Sequence, residues 1–152
     1  FWIIVIIVAI VIGVLNQPAQ QAHTNTNIPQ LSEQQVNTNQ NVAPDLSNVI
    51  QVTNPVPNQT ISSPLTVTGQ ARGTWYFEAS FPVEVRDMNN VILVQTPAQA
   101  QADWMTTNFV PFTATLTFVA VSGQPGTIIF RKDNPSGLPQ YDASISIPVV
   151  FQ

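Results

Sequence analysis

The chain has 152 residues, 44% of them hydrophobic, so it is long and apolar enough for one domain with a core. Only 8% of the residues are charged, with four Lys and Arg against eight Asp and Glu and a net charge of −4. Phosphate binding needs a basic footprint, so that balance excludes a nucleic-acid partner. The absence of Cys excludes disulfides, thiolate metal sites, cysteine nucleophiles and a lipid-bearing cysteine, and the single His leaves acid–base and metal chemistry short of parts.

Residues 1–15, FWIIVIIVAIVIGVL, contain no charged or polar side chain. Nothing amphipathic is left to face water, so a membrane helix is expected rather than a buried core helix. At 1.5 Å per residue it would be ~22 Å long, short of the ~30 Å hydrocarbon core, so it is expected to be part of a longer span. No A-x-A-like cleavage pattern follows Leu15, which favours a retained anchor over a removed signal peptide. Residues 16–46 are rich in Asn, Gln, Thr and Pro and show neither a 2-residue nor a 3.6-residue period. They are expected to form a flexible tether with a root-mean-square reach of ~30 Å. His23 falls in this tether and is read as solvated.

Residues 47–152 read as strands. Trp75–Val85 alternates, with Trp75, Phe77, Ala79, Phe81, Val83 and Val85 expected inward and Tyr76, Glu78, Ser80, Pro82 and Glu84 outward. Phe112–Phe118 and Ala143–Phe151 repeat the pattern, and Pro148 on the outward set of the latter signals an edge or a bulge. Shorter strands are expected at Val49–Thr53, Leu65–Gly69, Val91–Gln95 and Thr127–Lys132. Turn chemistry separates them at Asn54-Pro55, Pro57-Asn58, Asp87–Asn90, Ser122–Gly126 and Asn134–Gly137. About seven strands without a helix predict an all-β, immunoglobulin-like sandwich of two sheets, with a small barrel as the alternative.

Few residues offer chemistry. Glu78 and Glu84, if both lie on the outward face of one strand, stand ~20 Å apart, too far for a glycosidase pair. Arg72 and Glu78 form either a polar patch for a partner or structural contacts, as an ion pair or as hydrogen bonds to loop backbone. Trp104, in the loop Asp103–Thr106, either plugs an end of the sandwich or presents an aromatic surface to a glycan or peptide. Asp133 and Asn134, with Asp142 nearby, could be read as calcium ligands. The run is too poor in carboxylates for that, and a turn held by Asx and Ser bonds is expected. Arg72, Glu78, Trp104, Asp133 and Asn134 are therefore the candidate partner-binding patch. No catalytic residue, metal site or cofactor is assigned.

Several blocks carry a resemblance: Ile61–Gly73, Trp75–Val83, Asp103–Thr106, Phe109–Phe112 and Lys132–Pro139. In order and spacing they resemble the immunoglobulin-like domain of bacterial spore germination proteins, one of the Gmad-type domains. The resemblance covers nearly all of Val49–Phe151. Unlike the lipoprotein members, this chain has no anchoring Cys. At Asn90 it departs from a Gly, and Asn also tolerates the positive φ of a hairpin turn. The resemblance implies a non-enzymatic, extracytoplasmic module. With residues 1–15 it implies a single-pass protein of the bacterial cell membrane that contacts an envelope protein or cell-wall glycan. An alternative is a surface-filament subunit, since a hydrophobic N-terminus beginning with Phe resembles processed type IV pilins. Val5 stands where those typically carry Glu, and Pro18 would end the helix early.

Overall fold

The computed structural model describes residues 45–152. The expected anchor, residues 1–15, and all but the last two residues of the expected tether lie outside the described residues. Eight strands follow in chain order: β1 (Ile50–Asn54), β2 (Gln59–Ile61), β3 (Leu65–Arg72), β4 (Ser80–Asp87), β5 (Ile92–Ala100), β6 (Phe109–Leu116), β7 (Pro125–Arg131) and β8 (Ser144–Phe151). They form one sheet in the order β1-β3-β6-β5-β4-β7-β8-β2. All ladders are antiparallel except β2 with β8.

The expectation of two separate sheets is corrected here. The layers β1-β3-β6 and β5-β4-β7-β8-β2 are joined by a short ladder, Gln99 with Thr113 and Ala100 with Phe112. The sheet curls at this seam, so its two halves face each other across one core. Aromatic contacts bridge the halves: Phe81 lies 4.9 Å from Phe112, edge to face, and Phe112 lies 5.8 Å from Phe130. The order begins at β1 and ends at β2, so the sheet curls without closing into a barrel.

The inward faces follow the alternation over most of the domain. Phe112, Ala114, Leu116 and Phe118 are all buried, as are Phe81, Val83 and Val85. Pro148 precedes the point where β2 joins β8 at Val149, and its carbonyl accepts from Asn58 N–H at 2.7 Å. The predicted strand Trp75–Val85 is the main error. Gly73–Trp75 is a 3-10 turn, Glu78 and Ala79 have positive φ (49° and 61°), and β4 begins only at Ser80. The faces change accordingly: Tyr76, expected outward, is buried, and Phe77, expected inward, is 41% exposed. The run alternated in hydropathy because a turn residue, Phe77, happened to stay in phase. The hydroxyl of Tyr76 decides the other way by reaching the Val110 carbonyl at 2.7 Å.

The domain has two ends. Val49 O accepts from Arg72 N–H, so the chain enters beside the end of β3. This entry end also carries segments 73–79, 101–108 and 132–143. The far end carries segments 62–64, 88–91 and 117–124 and residue Gln152.

Candidate functional site

The predicted patch lies at the entry end, and there most of its side chains hold the loops together. Arg72 donates from Nε to Asn48 O (3.0 Å) and from Nη1 to Thr107 O (3.1 Å). Its guanidinium stacks 4.3 Å over the Phe109 ring. One cation thus ties the entering chain, β3 and the segment before β6. Glu78 is exposed at a left-handed position, and the ion pairs of the described residues do not include it or Arg72. Of the two structural alternatives read from sequence, the ion pair is not formed and Arg72 makes the hydrogen bonds to loop backbone.

Trp104 is half-buried against the core, and the carboxylate of Asp103 accepts Met105 N–H at 3.0 Å. The loop crosses so close to the 3-10 turn that a Cβ at Gly73 would collide with the Trp104 and Thr106 carbonyl oxygens. Only glycine fits there.

Asp133 and Asn134 form a self-bonded turn. Asp133 N–H donates to Trp75 O at 3.0 Å. Asn134 Nδ2 donates to Leu138 O (2.9 Å) and to the Asp142 carboxylate (2.7 Å), while Ser136 Oγ donates to Asn134 Oδ1 (2.5 Å). Gly137 completes the turn at φ 64°. Among the described residues no three His, Cys, Asp or Glu side chains converge as a metal site requires. One donor at this end is left over: Trp75 Nε1 is buried with no partner among the described residues.

A second charged cluster went unrecognised in sequence. Glu84, expected outward and wet, is buried on the outer face of β4. Arg86 contacts its Oε2 at 2.6 Å and Arg131 its Oε1 at 2.7 Å. Burial pushes this carboxyl up, but the hydrogen bonds and charges of Arg131 and Arg86 outweigh it and hold the group below its ordinary value. Both oxygens are engaged by the two arginines. The signal was available in outline: Glu84 and Arg86 sit two apart on one strand face in a chain where charge is scarce.

The far end carries an apolar groove of about 490 Å³, lined by Met88, Leu93, Val119, Val121 and Phe151, among others. Val119 is 90% exposed and Val121 69% exposed. Phe151, in its lining, packs on Phe118 with the ring centres 5.6 Å apart and the planes tilted by 55°. The one charged lining residue among the described residues, Asp87, accepts from Asn89 and Val91 N–H at its Oδ1, at 2.9 Å each. The sequence signal for this groove was the apolar residues at successive outward positions, Val119 and Val121, just after Phe118.

Among known families, residues 49–137 match the immunoglobulin-like domain of bacterial spore germination. No curated protein matches the chain.

Proposed function

Because the chain belongs to the immunoglobulin-like domain family of bacterial spore germination, we propose that it is a membrane-anchored interaction module of the bacterial cell envelope. Residues 1–15 hold it in the membrane, residues 16–46 act as the tether, and the β-domain is displayed outside the cytoplasm. It works by binding, with no chemical turnover.

The observation that carries this reading is the polarity of the domain. The chain enters at an end whose loops are bonded to one another, and the exposed apolar groove opens at the opposite end. A tethered module needs its contact surface away from its attachment. Apolar side chains this exposed are a cost in water that a partner removes.

The test is topology. The full-length protein is expected to fractionate with membranes, and protease added outside the cell should release a fragment starting within residues 16–46. Recovery of the intact protein in the soluble fraction contradicts the anchor.

A further inference from the structure

The apolar groove has walls of open backbone. β5 pairs with β6 only at Gln99 and Ala100, so one edge of Ile92–Ala98 has no strand beside it among the described residues. Thr117–Val121 follows β6 and joins no ladder among the described residues, although Phe118 N–H bonds Ser63 Oγ at 2.9 Å. The N–H groups of Val119, Ala120 and Val121 have no hydrogen-bond partner among the described residues. Counting back from Gln99 opposite Thr113, Leu93 would fall opposite Val119, and both line the groove. The two segments therefore diverge from the seam and leave a wedge between them.

We propose that this wedge takes an extended, uncharged peptide strand carrying β-branched apolar side chains at alternate positions. The inference rests on the reading of the domain as an interaction module and names its partner's chemistry. Three features select that occupant. The open edge of β5 and the unpaired N–H groups of Val119–Val121 offer the ladder bonds that only another backbone in strand conformation satisfies in series. The side chains of Met88, Val119, Val121 and Phe151 offer apolar contact, and a strand presents one set of side chains to them every second residue.

The charge match is the third feature. All four cations of the chain, Arg72, Arg86, Arg131 and Lys132, lie outside the groove lining, and the Asp87 carboxylate is already bonded to two N–H groups. An acidic strand would lose hydration there and gain no counter-charge, and a basic one would meet a single carboxylate, Asp87, whose Oδ1 already holds two N–H groups. Pro97 has no N–H to donate, which limits the receptive edge of β5 to about five residues, Ile92–Thr96.

The experiment presents the full-length protein in lipid nanodiscs to a random octapeptide display library. Synthetic copies of the enriched peptides are then titrated, with amide hydrogen exchange as the readout. The expected result is enrichment of uncharged sequences with Val, Ile or Thr at alternate positions. Their binding should slow exchange at Leu93, Gln95 and Val119–Val121, and it should weaken at least tenfold in the double variant Val119→Lys, Val121→Lys.

Those two side chains are exposed, and unchanged exchange in the β4 core of the variant shows that it is folded. No enrichment, enrichment of charged peptides, or binding that survives the double variant overturns the proposal. Protection of Val119–Val121 that grows with protein concentration, without peptide, would show that a second copy fills the wedge and would equally overturn it. Membrane fractionation is read separately, so a protein that fractionates as expected but binds no such strand refutes this inference alone.

Discussion

The two ends of the domain differ in where their polar groups and their exposed apolar side chains fall. At the entry end every loop is stitched to another: Arg72 bonds Asn48 and Thr107, Asp133 N–H bonds Trp75, and Asn134 closes its own turn. At the far end Val119–Val121 leaves its N–H groups open beside exposed valines. Hydrogen bonds within a domain compete with those to a partner. An end whose loops bond across to one another is a joint, and one with a run of open donors beside exposed apolar side chains is suited to receive something. Polar residues in loops attract attention in a sequence, yet here they are mostly the mortar.

The largest expected effect tests the core behind the joint. Trp75 is 1% exposed, so Trp75→Ala should cost ~3–5 kcal/mol, the range for a buried aromatic. Trp75→Phe should cost much less, because it keeps most of the ring and removes the unpartnered donor. Phe77→Ala should shift the urea midpoint little. Tyr76→Phe should cost about 1 kcal/mol through loss of the hydroxyl's buried bond to the Val110 carbonyl. Equal midpoints for Trp75→Ala and Phe77→Ala would restore a strand through this turn.

Next is the Glu84 cluster, which braces the outer face between the ends. Glu84→Gln should cost about 1–3 kcal/mol, since two charge-assisted bonds weaken. The carboxyl is held below its ordinary value of 4.5 in the folded state. Its contribution is therefore present above that value and is lost as pH falls through the lower folded value. Thermal denaturation below pH 4.5 should show the wild type losing stability faster than Glu84→Gln. Tyr76 gives the alkaline counterpart: burial pushes its hydroxyl from 10.0 up to about 12. The stability it confers is complete below pH 10 and fades as pH rises toward 12, a loss that Tyr76→Phe should not show.

Smaller effects separate mortar from surface. Asn134→Ala removes two donated bonds from a partly exposed turn and should cost about 1 kcal/mol. The double variant Val119→Lys, Val121→Lys should change stability by less than about 0.5 kcal/mol, as exposed substitutions do. A reversal, with the valines costing more than Asn134, would make the far end structural and erase the contrast.

Period-2 alternation made β6, β8 and most of β4 legible in the sequence, because one face of each is dry. It misled at Trp75–Phe77, where a 3-10 turn and two left-handed residues mimic a strand's hydropathy. β2 was missed because it is three residues long and borrows its pairing from β8. The single curled sheet was not legible, since the seam rests on two residue pairs with no side-chain signature. Arg72, Trp104, Asp133 and Asn134 were found as notable residues, but a sequence does not show whether a donor is spent at home. The groove escaped because its wall at Thr117–Val121 is defined by what fails to pair.

The contrast between the ends is tested most directly by native-state hydrogen exchange on the full-length protein, with no added ligand. Amides of Asp133, Gly137 and Arg72 should exchange slowly, each bonded to a carbonyl at the entry end. Amides of Val119, Ala120 and Val121 should exchange near the rate of an open chain. Slow exchange at all three valine-segment amides, independent of protein concentration, would mean that the far end is already closed, and would contradict the account.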